Sequence, residues 1–142
     1  MTDLVKLADK FAKEKHRGQT DKAGLPYITH PRAVAAQLDG ETEKVVGLLH
    51  DTVEDTDATF DEIRTLFGDA VADAEQCLTH EDGVPYMEYV AKIKGNELAR
   101  KVKLADLTLN MDISRISHVT EKDEKRLAKY RAAYALLTGE ET

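Results

Sequence analysis

Residues 47–56 read GLLHDTVEDT and close an apolar run, EKVVGLL, that begins at Glu43. Val45, Val46, Leu48, Leu49 and Val53 recur at helical spacing. The stretch therefore predicts a core helix, capped by Thr42 and stopped at Asp55-Thr56-Asp57. Its end carries His50, Asp51, Glu54 and Asp55. On a helix, His50 with Glu54 and Asp51 with Asp55 are i,i+4 neighbours, so two stacked pairs line one edge. Three carboxylates at a helix C-terminus oppose the macrodipole, which already places partial negative charge there. Two readings follow. The groups are surface charges around a helix stop, with Asp55 or Asp57 capping the next helix, or they are part of a divalent-cation site. Imidazole with carboxylate suits Mn, Fe, Zn or Ni.

Outward from this helix the pattern stays helical. Leu4, Leu7, Ala8, Phe11 and Ala12 predict a helix over residues 3–16. Residues 17–29, RGQTDKAGLPYIT, carry turn chemistry and predict a loop, and Pro31 suits the first turn of a helix over 31–38. Downstream, Thr59 and Glu62 match a capping box ahead of FDEIRTLF. Helices follow at 70–79, 86–94, 97–112 and 121–137, with a loop at 80–86 and a connector at 114–120 before a cap at Thr120 and Asp123. The expectation is an all-α single domain over residues 1–142, with seven or eight helices and no strand.

Composition limits the function. The chain has 142 residues and a net charge of −7, which gives no electrostatic case for wrapping nucleic acid. It holds one cysteine, Cys77, in a helical pattern, which reads as a packing residue in a reducing compartment. Residues 1–20 hold no apolar signal-peptide core, and no stretch is long enough for a membrane span. The expectation is a cytoplasmic protein with neither nucleic-acid nor membrane partners. His80 and His118, in polar connectors, read as incidental, and Tyr130 and Tyr134 as core.

Two further places supply candidate ligands. His30 precedes Pro31 at a helix start, where a histidine caps, packs or ligates. In VKLADLTLN, residues 102–110, Asp106 and Asn110 lie i,i+4 among apolar residues. A carboxylate buried there needs a partner: a hydrogen-bond donor from the core, or a metal ion. Together His30, His50, Asp51 and Asp106 make a two-histidine, two-carboxylate set. Such a set leaves an octahedral metal open positions for water and substrate. Glu54 and Asp55, one turn on, are candidates to orient or deprotonate that water. Lys103, one turn before Asp106, is a candidate phosphate contact.

The order His30, His50-Asp51, Asp106 resembles the H…HD…D pattern of the HD-domain metal-dependent phosphohydrolases. HRGQTDKAGLPYITHP, LLHDTVEDT and VKLADLTLNM resemble the hydrolase domain of the RelA/SpoT family, in the right order over roughly residues 3–113. The resemblance implies an all-helical HD bundle with one Mn²⁺ on His30, His50, Asp51 and Asp106. It implies a nucleotide substrate, (p)ppGpp, hydrolysed at the 3′ position with release of pyrophosphate. It places Glu54 and Asp55 on the attacking water, Asn110 on the nucleotide and Lys22 at the guanine end. Three stretches depart from the family. Asp21 stands where the family has Arg, Leu107 and Leu109 replace Arg and His in LADRxHN, and Ile113-Ser114 lies near a family Thr. Two alternatives remain: an HD-type hydrolase of another nucleotide or phosphoester, and a catalytically silent metal- or nucleotide-binding regulator.

Overall fold

A computed structural model describes residues 2–21, 23–112 and 119–139. The described residues form eight helices of eight or more residues and one single-turn helix. In chain order they are α1 (Asp3–Lys15), α2 (Thr29–Ala36), α3 (Glu41–Leu49), α4 (Thr52–Asp55) and α5 (Phe60–Phe67). They continue as α6 (Asp69–Leu78), α7 (Tyr86–Ile93), α8 (Glu97–Asn110) and α9 (Glu121–Thr138). No strand occurs among them, only an isolated antiparallel bridge between Thr20 and Pro26. The all-α expectation holds.

Local chemistry sets most of the helix starts. Thr59 Oγ1 accepts from Glu62 N at 3.1 Å, and Glu62 Oε1 accepts from Thr59 N at 3.1 Å. Thr120 and Asp123 repeat this reciprocal cap before α9, and Asn96 caps α8. The expected cap at Thr42 is displaced. The helix begins at Glu41 with Gly40 as its N-cap, and the Glu43 carboxylate takes the Gly40 N–H at 3.3 Å. α2 likewise starts two residues earlier than expected, at Thr29, so His30 lies in its first turn.

α3 is the centre of the molecule. Val45, Val46, Gly47, Leu48 and Leu49 are all buried, and the helix packs against α1, α2, α6 and α8. Burying a single leucine contributes about 1.5–3 kcal/mol, so this run anchors the core. Gly47 allows the close approach of α2. A Cβ there would sit 3.0 Å from Leu38 Cδ1 and 3.5 Å from the Ala35 backbone. That contact sets the distance between the helices that carry His30 and His50.

The expected continuous helix through residue 55 does not form. α3 stops at Leu49, and α4 is a separate turn. Side chains take the carbonyls that the next turn would have used. His50 Nδ1 donates to Gly47 O at 2.6 Å, and Thr52 Oγ1 donates to Leu49 O at 2.8 Å. Asp51 sits between the helices at φ −107°, ψ 0°. The Asp51–Asp55 spacing survives as the turn closed by Asp55 N to Asp51 O at 3.0 Å. Glu54 and Asp55 therefore do not lie at the end of the long helix, and the dipole argument for their placement falls away.

Candidate metal centre and active site

The first turn of α2, the end of α3 and the middle of α8 converge on one point. His30 Nε2 lies 2.8 Å from Asp106 Oδ1, and His50 Nε2 lies 3.5 Å from the same oxygen. Ligand atoms of His30, His50 and Asp106 all fall within 4.8 Å of one another. Asp51 adjoins them through Oδ2, 3.1 Å from His50 Nε2, and clusters with Glu54 and Asp55 on the open side.

His50 tests whether a metal fits. Its side chain is 4% exposed. Its Nδ1–H is committed to the Gly47 carbonyl. Among the described residues Nε2 has no hydrogen-bond partner, and it is buried facing two carboxylates. A lone pair aimed at two anions is satisfied by a cation between them, and fixing Nδ1 on a carbonyl is how a ligating imidazole is oriented. The residues present fit a divalent ion.

Burial opposes charge on His50, but Asp51 and Asp106 outweigh it and raise its pKa well above the ordinary value. Burial likewise opposes charge on Asp106, yet His30, His50 and Lys103 hold it well below the usual carboxylate range. Asp51 is held at about 2, burial being outweighed by His50 and by the Tyr27 hydroxyl, which donates to Oδ2.

The remaining candidates fall into place unevenly. Glu54 and Asp55 are solvent-facing, and partial desolvation with neighbouring carboxylates raises both pKa values. Glu54 Oε1 is fixed by the His80 N–H at 2.7 Å. Asn110 Nδ2 donates to Asp106 Oδ1 at 3.2 Å, so it braces that carboxylate. Lys103 Nζ reaches Asp106 Oδ2 at 3.4 Å from a largely buried side chain. Lys22, Ile113, Ser114 and His118 lie outside the described residues. Asp21 has a local use: Oδ1 accepts from Ala23 N and Leu25 N, both at 2.9 Å, closing the loop turn through Gly24 at φ +82°. Leu107 is fully buried in the core. The loop is braced by side chains: His16 Nδ1 meets Gln19 Oε1 at 2.8 Å, and Gln19 Nε2 donates to Asp55 O at 3.0 Å.

Sequence reasoning missed one wall of the site. His80, read as incidental, stacks on Tyr89 with ring centroids 4.5 Å apart and lines a cavity with Glu54, Tyr86 and Lys103. The available signal was Tyr86 and Tyr89 on one face of α7, directly after a histidine-bearing loop. Glu75 was also missed. It is 1% exposed, its Oε1 has no hydrogen-bond partner among the described residues, and burial raises its pKa well above the ordinary value.

Comparison with known proteins identifies the family. The HD domain family matches residues 8–79. The guanosine-3′,5′-bis(diphosphate) 3′-pyrophosphohydrolase MESH1 of Mus musculus is 39% identical over 141 residues, covering 89% of this chain and 78% of that protein. MESH1 of Danio rerio is 42% identical over 119 residues, covering 74% of this chain and 66% of its own length. A GTP pyrophosphokinase of Myxococcus xanthus is 34% identical, and the chain spans only 19% of it. A solved structure of a metazoan ortholog of SpoT that hydrolyzes ppGpp superposes with a TM-score of 0.81 at 25% identity, covering 98% of this chain and 88% of that one. No helix among the described residues is long and apolar enough to cross a membrane. With its helical bundle, its H…HD…D residues and these relatives, the chain belongs to the HD-domain family.

Proposed function

We propose that this chain is a divalent-metal-dependent phosphohydrolase acting on (p)ppGpp at the 3′ position and releasing pyrophosphate, with Mn²⁺ as the working ion. The observation that carries the reading is the orphaned His50 Nε2 facing Asp51 and Asp106 beside His30, in a chain whose MESH1 relatives carry that activity in their names. His30, His50, Asp51 and Asp106 hold the ion. When bound, a divalent ion supplies Lewis acidity to a phosphoryl oxygen and lowers the pKa of a water.

The protein's own groups do the rest. Tyr27 and Asn110 orient the Asp51 and Asp106 carboxylates by donating to them. The His80 N–H fixes one oxygen of Glu54 and leaves the other for the water proton. Asp55, one residue on, shares the open side and keeps the proton among carboxylates of raised pKa. Lys103 presents positive charge to a phosphoryl group.

One observation favours a second reading. Asp21 spends its carboxylate on the loop turn and Leu107 is core, so two positions that depart from the family pattern are structural here. That supports an HD-type hydrolase of another nucleotide or phosphoester. The test is product analysis with Mn²⁺-loaded protein, offering ppGpp beside GTP, dGTP, ATP, NADPH and nucleoside monophosphates, with Asp51→Ala as control. Pyrophosphate from ppGpp alone, lost in the variant, supports the alarmone reading. Turnover of another compound transfers the mechanism to that substrate. Tight binding without turnover of any compound supports the regulator.

A further inference from the structure

α4 is a single turn, and Thr52 is the one buried residue of its four. A helix this short does not fix its own position, because a first turn orders several residues for a single hydrogen bond. Yet it carries Glu54 and Asp55, each with a carboxylate oxygen within 4.8 Å of one on Asp51. Contacts from outside the turn must hold it. On the Glu54 side that contact is the His80 N–H. On the Asp55 side it is a side chain from the loop after α1.

Gln19 Nε2 donates to Asp55 O at 3.0 Å, across 36 residues of sequence. The last carbonyls of a helix lack partners within it, so this bond closes the end of α4. An amide has a donor end and an acceptor end, and the donor faces Asp55 only when the other end is held. His16 holds it, with Nδ1 2.8 Å from Gln19 Oε1. Oε1 only accepts, so this contact assigns a proton to Nδ1, and a flipped amide would set two donors against each other. The His16 ring is 2% exposed and packs on the Tyr27 ring, centroids 4.8 Å apart. Backbone bonds complete the unit: Gln19 N–H donates to His16 O at 3.0 Å, and Tyr27 N–H to Gln19 O at 2.9 Å. The nearby Lys15–Asp57 ion pair is 2.9 Å long but leaves Asp57 88% exposed, so solvent screening gives it little hold on the turn.

Resting on the proposed hydrolase reading, we propose that Gln19, oriented by His16, is a positioning residue for Asp55. Its bond to the Asp55 carbonyl fixes the turn that aims the Asp55 carboxylate at the open side of the metal centre. A reacting group misplaced by about 1 Å costs a reaction as much as about a hundredfold, so one neutral hydrogen bond acts here through geometry more than through stability. The loop after α1 and the acid–base turn thereby form one structural unit.

Two substitutions separate the bond to Asp55 from the brace to His16. Gln19→Glu keeps an acceptor for His16 Nδ1–H and removes the donor to Asp55 O. Gln19→Met removes both. Hydrogen–deuterium exchange of the full chain reads the turn without requiring turnover. The Asp55 and Thr56 amides bond to Asp51 O at 3.0 Å and Thr52 O at 2.9 Å. In both variants they should exchange about 3–10-fold faster than in the parent, while the amides of Val45 to Leu49 keep their rates. Kinetics of Mn²⁺-loaded protein then use ppGpp, or the compound of the substrate panel that the parent hydrolyses. In both variants kcat should fall about tenfold, with KM and Mn²⁺ affinity unchanged. The fall should vanish on an Asp55→Asn background, because Gln19 acts through that residue alone. Unchanged exchange, full activity in Gln19→Glu, or an equal fall on the Asp55→Asn background overturns the proposal. The predicted exchange and kinetics on a compound other than ppGpp keep the positioning role and discard the alarmone substrate. Hydrolysis of ppGpp by Gln19→Glu at the parental rate does the reverse. Faster exchange in both variants of a parent that turns over nothing overturns the catalytic role along with the hydrolase reading and leaves only a structural tether.

Discussion

Two clusters of ionisable groups sit side by side, and they are built differently. His30, His50 and Asp106 are drawn from three helices, with His50 and Asp106 buried. Asp51, Glu54 and Asp55 come from one short segment on the open side. In the first cluster the carboxylate, Asp106, is pushed toward the charged form by bases around it. In the second, Glu54 and Asp55 are pushed toward the neutral form by partial desolvation and by one another. Groups driven apart in this way take different jobs. In the proposed reading the buried set holds a cation, and the open pair moves a proton. Asp51, at the N-cap position of α4, adjoins both.

The largest effect should come from the buried set. Asp106→Ala removes a ligand and leaves two histidines facing empty space, so Mn²⁺ binding is lost and turnover falls by about 10²–10⁴-fold. Metal content by atomic absorption and the steady-state rate check this together. Glu54→Gln breaks the other half alone. It should lower kcat by about 10²–10⁴-fold while Mn²⁺ affinity stays within error of the parent, as titration calorimetry would show.

Smaller changes sharpen the division. Tyr27→Phe removes the donor to Asp51 and should weaken Mn²⁺ binding by about 10–100-fold without abolishing it. Binding must also displace the proton that His50 holds when metal-free. Apparent Mn²⁺ affinity should therefore rise about tenfold per pH unit through the ordinary histidine value near 6.5 and continue above it, since the His50 pKa is raised. A plateau below that value would contradict the placement of His50.

Glu75 offers the mildest test. Its folded pKa is raised, so the folded state holds a proton that the unfolded state releases near pH 4.3. Stability from this group is therefore present below that pH and lost as pH rises toward the folded value, by up to about 1.4 kcal/mol per unit. Glu75→Gln lacks this loss. Its melting temperature relative to the parent should climb by a few degrees between pH 4.5 and 7.

Much of the bundle was legible because its signals are local. Apolar periodicity placed the helices, and Thr59-Glu62 and Thr120-Asp123 announced their starts. The break after Leu49 was not legible. It depends on His50 and Thr52 turning back onto Gly47 and Leu49 carbonyls, which no spacing distinguishes from a continued helix. The aromatic wall escaped for a related reason. His80 matters through Glu54, 26 residues earlier, and through a ring nine residues later, so its role exists only after the chain has packed. The loop at Asp21 shows the converse. A change that looks like altered recognition is also a turn residue with two backbone donors on one oxygen.

The most direct test of the division between the clusters is Mn²⁺ titration of three proteins under one condition: parent, Asp106→Ala and Glu54→Gln. One ion per chain in the parent and in Glu54→Gln, with none in Asp106→Ala, is the predicted result. An ion retained in Asp106→Ala, or lost in Glu54→Gln, would contradict it and place the metal on the open carboxylates instead.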